Sequence, residues 1–282
     1  MNPYYLPAAD TFGAARRYAL NISGGRTSAY LLRAVLDAHD GALPAHVVPV
    51  FTNTGKEREE TLEFLHRIEI EWSVPLIWLE FRWRPEASGR AGDYRGTYAV
   101  VDYETASRAG EPFEMLISRG MLPNPKMRIC TSHLKVRTVE RYVHRTLGWP
   151  RNQWVNVLGI RSDEPRRVKM ALVEECRVMY PLVLAGVTER DITRYWNRSP
   201  FDLALRSDQS NCDLCFLKGK RRLVSLIRED PSLAEWWMAQ ERGVGSSFEK
   251  PWSYSDLVRI AESQAPLPLG SVDEGISCFC GD

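Results

Sequence analysis

No apolar run in this chain approaches the roughly 20 residues that a membrane-spanning helix needs, which excludes a helical membrane protein. The chain also lacks charge of one sign. Lys and Arg total 37 against 36 Asp and Glu, a net charge of +1, so there is no global pull toward nucleic acid or a membrane surface. A local run such as Lys218–Arg222 is left to be either a basic patch or a solvated helix face. The opening stretch Met1–Tyr5 has neither the basic flank nor the apolar core of a secretory signal, and the expectation is a cytoplasmic protein with no membrane partner. No internal repeat is visible. Cysteine is sparse, six residues in 282, and in a cytoplasmic chain such cysteines argue for metal binding or redox work over structural disulfides. What is present is an ordinary globular composition, 44% hydrophobic and 26% charged, in a chain long enough to bury a full α/β core.

The chain is organised around residues 17–36. The apolar run Tyr18–Ile22 leads into Ser23-Gly24-Gly25-Arg26-Thr27-Ser28 and then an amphipathic segment to Leu36. That pattern predicts a buried strand, a tight turn and a helix. Two glycines let the backbone turn sharply and approach a ligand. The unpaired amides and positive dipole end of the helix suit an anion. Ser23, Thr27 and Ser28 add hydroxyls and Arg26 a charge, so phosphate or sulfate is the expected guest; a plain strand-to-helix turn is the alternative. The loop is neither a Walker A sequence nor Gly-x-Gly-x-x-Gly.

Further strands are expected at His46–Phe51, Leu76–Leu79 and Trp154–Leu158, with a helix over Glu59–Glu71 between the first two. Strands alternating with helices imply a parallel sheet with helices on both faces, whose ligands sit at the carboxyl ends of the strands. The turns Ser23-Gly24-Gly25 and Asn53-Thr54-Gly55 both lie at such ends and are expected to line one crevice. Residues 82–125, rich in Arg, Gly and Pro, read as an irregular insertion with a short helix near Glu111–Arg119. A helix follows Cys130, with Thr131 or Ser132 as its cap, running to about Leu147. Cys130 at that helix start, beside Lys126, Arg128 and Lys135, would favour thiolate; an inert buried cysteine is the other reading. Thr188 and Asp191 form a capping arrangement for a helix through Trp196, whose Tyr195–Trp196 pair is expected to pack in the core. Past Pro200 the α/β pattern stops. The expected division is 1–200 as the α/β domain and 201–282 as a helical, cysteine-bearing region, in which Trp236 and Trp237 are core.

Taken together these stretches resemble the adenine nucleotide α-hydrolase (PP-loop) superfamily, and within it the phosphoadenylyl-sulfate (PAPS) reductases. Ser23-Gly24-Gly25-Arg26-Thr27-Ser28 is similar to the family's Ser-Gly-Gly-x-x-Ser loop, and Thr54-Gly55 with Glu60-Thr61-Leu62-Glu63-Phe64 to its Asp-Thr-Gly…Glu-Thr-x-x-Phe signature, with Asn53 in place of Asp. Gly159-Ile160-Arg161 through Arg166-Arg167 resembles its Gly-x-Arg-x-x-x-Ser-x-x-Arg stretch, with Pro165 in place of Ser. The resemblance implies nucleotide binding by Ser23–Ser28, by Asn53, Thr54 and Gly55, and by Gly159, Arg161, Arg166 and Arg167, the arginines supplying forked donors for oxyanions.

Three chemistries fit Cys212-Asp213-Leu214-Cys215: a redox pair, a four-thiolate zinc site with Cys278 and Cys280, or an iron–sulfur site. The resemblance favours the last. Related adenylyl-sulfate reductases carry a cysteine pair and, about eighty residues on, Cys-x-x-Cys, a separation that Cys130 and Cys212 reproduce. It implies a [4Fe–4S] cluster on Cys130, Cys212 and Cys215, with Cys176, Cys278 or Cys280 as fourth ligand or an open iron. Cys280-Gly281 near the end matches part of the reductase tail, which implies Cys280 as a nucleophile forming a thiosulfonate. The leading expectation is therefore reductive release of sulfite from PAPS or APS, with a thiol reductant such as thioredoxin as partner. The alternative is an ATP pyrophosphatase-type enzyme for sulfur modification of DNA or tRNA. The third is a catalytically silent nucleotide-binding partner protein.

Overall fold

In the computed structural model the residues described are 2–85, 94–118, 120–150, 153–175, 177–206, 209 and 211–263. Cys176, Cys278 and Cys280, the last the expected nucleophile, lie outside them.

Six strands form one sheet in the order β4-β3-β2-β1-β5-β6. They are β1 (Arg17–Ile22), β2 (Val47–Asn53), β3 (Ile77–Pro85), β4 (Tyr94–Val101), β5 (Trp154–Leu158) and β6 (Val178–Met179). All neighbours are parallel except β3 and β4. β1 lies at the centre because it is apolar on both faces: Tyr18, Leu20 and Ile22 enter one core cluster and Ala19 the other. A strand buried on both faces reads as a near-continuous apolar run, which is why this segment was legible.

Helices cover both faces. Leu31, Leu32, Val35 and Leu36 of α1 (Arg26–Ala38) pack on one, with Leu62, Leu65 and Ile68 of α2 (Glu59–Trp72). Val139, Tyr142 and Val143 of α4 (Arg137–Arg145) pack on the other. The remaining helices are α3 (Glu111–Ile117), α5 (Met170–Glu174), α6 (Pro181–Leu184), α7 (Glu189–Trp196), α8 (Lys220–Glu229), α9 (Leu233–Val244) and α10 (Tyr254–Glu262). The Thr188–Asp191 capping box at the start of α7 is present, and Trp196 packs edge-on against Phe64 and Phe201. Trp237 is buried in a second core, where α8, α9 and α10 meet Phe113, Leu116 and Ile117 of α3 together with Phe81 of β3. Phe201, Leu203 and Leu205 pack with the sheet.

Two expectations change. Residues 94–101 are not irregular: β3 runs on to Pro85 and β4 pairs with it antiparallel, from Trp78 opposite Val101 to Pro85 opposite Tyr94. Arg95 and Gly96 interrupt the apolar alternation that marks a strand, and the cross-strand bonds supply what the pattern lacks. Cys130 does not precede a capped helix either. It begins a π-helical turn, Cys130–Val136, that runs directly into α4 with no side-chain cap on either segment. Such wide turns recur at functional sites.

Candidate functional site

At the carboxyl end of β1 the chain turns through Gly24, at φ +85°, and Gly25 caps α1 with no side chain bonded to the helix amides. A Cβ on Gly24 would lie 2.4 Å from Thr61 Cγ2 of α2, so only glycine fits this bend. The hydroxyls brace the turn. Ser28 Oγ accepts from Ser23 N (3.0 Å), lies 2.9 Å from Ser23 Oγ and donates to Gly25 O (3.0 Å). The first helical bond is Ala29 N to Gly25 O, so the amides of Arg26, Thr27 and Ser28 precede it, and no acidic residue stands in the first turn. That is the electrostatic setting of an anion site.

Beside the turn, a cavity of about 260 Å³ opens between β1, β5, the π-helical turn, α5 and β6. Its wall includes Ser23 and Ser28 of the turn, Val50, Leu158, Leu172 and Tyr180 as apolar surface, and Lys135, Arg167, Lys169 and Arg177 as cations. Asn21 and Asn156 also line it, on adjacent strands, with Asn21 Nδ2 donating to Asn156 Oδ1 (3.1 Å). An apolar cleft with a few convergent polar groups is the usual form of a small-molecule site. The two asparagines went unremarked in the sequence, although an amide within each of two apolar strands was the available signal. Gly159 closes the approach of β5 to α1: a Cβ there would lie 3.1 Å from Ser28 Cα.

Several expected site residues are committed elsewhere. The Arg26 guanidinium turns to Asp202, at 2.7 and 2.8 Å, and to the carbonyls of Leu203 and Leu205, which fixes the segment after residue 200 to the start of α1. Asn53 is fully buried. Its Nδ2 donates to Glu80 Oε1 (2.7 Å) and Ser107 O (2.8 Å), and its Oδ1 accepts from Gly55 N (3.0 Å). Thr54 donates to Glu57 Oε2 through both N and Oγ1, each at 2.8 Å. Asn53-Thr54-Gly55 is thus a self-satisfied turn. Arg161 is buried, bonded to Asp163 Oδ1 (3.0 Å) and 3.4 Å from Thr27 Oγ1, so it ties its loop to α1. Burial opposes its charge, but the carboxylates of Glu164, Asp163 and Glu189 outweigh that and hold its pKa above the ordinary value. Arg166 is exposed, and Arg167, on the cavity wall, also donates to Glu164.

The structure brings the Cys-x-x-Cys loop to this place across a long stretch of chain. Asn211 Nδ2 donates to Ser23 O (2.6 Å). Arg58 N donates to Asn211 O (2.7 Å), Asp213 N donates to Lys56 O (3.0 Å), and Glu57 and Cys212 bridge antiparallel. Asp213 anchors the loop through Lys56 Nζ (2.7 Å) and Trp237 Nε1 (2.9 Å). Lys218, in the basic run, is buried: its ammonium donates to Cys212 O (2.7 Å) and Asp213 O. Burial pushes its pKa down to about 8, with the sulfurs of Cys215 and Cys212 pulling the other way.

Cys212 and Cys215 are buried and Cys130 packs, half-buried, against the same apolar cluster. Cys212 Sγ is 3.9 Å from Glu57 Oε1, which lies 3.9 Å from Lys135 Nζ. Among the described residues, no three His, Cys, Asp or Glu side chains are arranged to hold a metal ion. The cysteines expected to bind a cluster are therefore gathered in one core without forming a ligand set. Among those residues, too, no helix is long and apolar enough to cross a membrane.

No protein-family model matches the chain. It is similar to a protein of Escherichia phage lambda described as uncharacterized nin region protein ORF290, 28% identical over 214 residues, which covers 76% of this chain and 70% of that one. Among solved structures it is similar to the U34-tRNA thiolase NcsA from Methanococcus maripaludis with its [4Fe-4S] cluster, at 11% identity and a TM-score of 0.41, over 97% of this chain and 83% of that one.

Proposed function

We propose that the chain is an ATP pyrophosphatase-type enzyme of the PP-loop kind, which activates an acceptor by adenylation for replacement of an oxygen by sulfur. The observation that carries this reading is the crevice itself. The turn that begins α1 borders, through Ser23 and Ser28, a cavity whose wall carries Lys135, Arg167, Lys169 and Arg177, while Asn211 links the same loop to the cysteine-bearing segment. In this reading the amides of Arg26, Thr27 and Ser28 receive phosphate oxygens and the cationic wall balances the remaining charge. Asn21 and Asn156 face the base or ribose.

The reaction proceeds in two displacements. An acceptor oxygen attacks the α-phosphorus, forming a P–O bond as the α–β anhydride breaks and pyrophosphate leaves with the electron pair. A sulfide donor then attacks the activated carbon, the C–O bond breaks and AMP leaves. No step is routed through a metal cluster, because the described cysteines form no ligand set. The sulfonucleotide-reductase reading depends on Cys280, which lies outside the described residues. The ATP reading draws on described residues, with the acceptor and the sulfide donor supplied from outside.

The test is product analysis under anaerobic conditions. Protein is given ATP, a sulfide donor and bulk tRNA or DNA, and in parallel PAPS with a dithiol. AMP and pyrophosphate from the first mixture are expected. Sulfite from the second without pyrophosphate from the first would overturn the proposal, and so would no product from either.

A further inference from the structure

The helix that lines the cavity has a second polar flank that the reading above does not use. His133, Arg137, Arg141 and Arg145 recur at every fourth position through the π-helical turn and α4. That spacing stacks side chains along one flank, at steps of about 6 Å. Residues one or two positions away do other things: Thr131 and Lys135 face the cavity, while Leu134, Thr138 and Tyr142 are buried.

We propose that this row is the surface on which the phosphodiester backbone of a nucleic-acid acceptor lies, an inference that rests on the acceptor-activating reading above.

Beyond His133 the row is three like charges left next to one another, and Arg137 Nη1 donates to His133 Nε2 (3.1 Å). His133 Nδ1 and Arg141 Nη1 are buried and have no hydrogen-bond partner. Burial, then Arg145 and Arg137, pull the Arg141 pKa below its ordinary value, with Glu140 acting the other way. Burial, then Arg137 and Arg141, do the same to His133. Glu140 lies on the cavity side of the helix. Arg145 donates to a neutral group, Thr97 Oγ1 at 3.3 Å. Cations repel at this spacing and lower the stability of the helix that carries them. Complementing the helix dipole accounts for Arg145 in the last turn but not for Arg137 and Arg141.

The fold also makes room for one of these cations. Arg141 lies over Gly96 of β4, where a Cβ would sit 2.7 Å from its Nη2. A guanidinium held by shape rather than by a carboxylate is ready to accept one from outside, or a phosphate. The regular step and the predominance of arginine match a chain of evenly spaced phosphates, which guanidinium forks bind well. The row begins three residues after Cys130, on the helix that contributes Thr131 and Lys135 to the cavity. A strand lying along it runs toward the mouth of the crevice.

The experiment is fluorescence anisotropy with a short labelled RNA hairpin and a DNA duplex of equal length, titrated between 50 and 200 mM salt. Wild-type protein is expected to bind at least one of them, with affinity falling steeply as salt rises. Arg137→Gln with Arg141→Gln is expected to weaken binding about tenfold or more and to reduce the salt slope by about two. Gly96→Ala displaces the Arg141 guanidinium while leaving every charge in place, and is expected to weaken binding by a smaller factor. Arg190→Gln with Arg198→Gln, an equal loss of charge from exposed positions on and after α7, is expected to leave affinity unchanged. Unfolding midpoints of all variants verify that they fold.

Unchanged binding in the Arg137/Arg141 variant would overturn the proposal, as would equal losses in the control pair. Competition by polyglutamate as effective as unlabelled oligonucleotide would also overturn it, in favour of an acidic protein partner. Wild-type protein that splits ATP to AMP and pyrophosphate yet binds neither oligonucleotide would sink this surface and leave the ATP chemistry standing. Row-dependent binding with no pyrophosphate would support the surface while the ATP chemistry failed.

Discussion

Two glycine-bearing turns end adjacent strands of the sheet, one after β1 and one after β2, and they are built to opposite ends. After β1, Ser23 and Ser28 bond mainly to each other and to the turn, leaving the first helix amides beside a cavity. After β2, Asn53, Thr54 and Gly55 spend their polar atoms on Glu80, Ser107 and Glu57. Both contain a glycine in the left-handed region, at +85° for Gly24 and +77° for Gly55. A hydroxyl-and-glycine turn at a strand end is therefore compatible with binding or with bracing. What separates the two is where the polar atoms find partners.

The largest effect comes from replacing the two glycines. Gly24→Ala and Gly55→Ala both force a left-handed alanine into a close contact, with Thr61 Cγ2 at 2.4 Å in one case and Ser107 Oγ at 2.6 Å in the other. Each is expected to cost about 2–4 kcal/mol in urea denaturation, combining left-handed strain with overpacking. At a temperature where both remain folded, only Gly24→Ala should lose ATP binding by calorimetry. Equal loss from Gly55→Ala would erase the distinction between the turns.

Next is Asn53→Ala, which takes one of the donors from the buried Glu80 carboxylate and removes the side-chain partners of the Ser107 carbonyl and the Gly55 amide. A loss of about 2–3 kcal/mol is expected, with ATP affinity within twofold of wild type once the protein is folded.

A smaller loss is expected from Arg26→Ala. Its pairing with Asp202 is part-exposed and screened, so most of the cost lies in the carbonyls of Leu203 and Leu205, about 1–2 kcal/mol altogether. Nucleotide affinity should hold, and a drop beyond tenfold would return Arg26 to the phosphates.

The smallest concerns Glu241, the bracing acid of the α9–α10 side, which accepts from Phe248 N (3.0 Å) and Tyr254 N (2.8 Å). Burial raises its pKa against those two bonds. The folded state then holds the proton to higher pH than the unfolded state, so this group's contribution to stability falls as pH rises from 4.5 through the raised value and is level above it. Urea midpoints of wild type and Glu241→Gln, compared at pH 4.5 and 7, should show that part of the slope absent in the variant.

Much of this architecture was legible because periodicity carried it. The buried run Tyr18–Ile22, the α1 stripe Leu31–Leu36 and the Thr188–Asp191 cap each announce their element locally. β4 was hidden because Arg95 and Gly96 break the alternation, and its partner strand supplies the register. The π-helical turn has no signal in residue types. The direction of a charged side chain is equally silent: Arg26, Arg161 and Lys218 read as surface or phosphate-binding cations, yet each is held by groups brought from distant parts of the chain or by its own loop. The contact of Asn211 with Ser23 joins residues 188 apart, which no local pattern can report.

The central claim is that the first turn of α1 borders a nucleotide site and that the Cys-x-x-Cys loop is fastened to that turn by Asn211. Backbone hydrogen exchange with and without a non-hydrolysable ATP analogue tests it directly. The account expects amides 24–28 to slow on binding and amides 211–215 to slow with them, through the Asn211–Ser23 bond. Protection confined to other strand ends, with both segments exchanging as before, would contradict it.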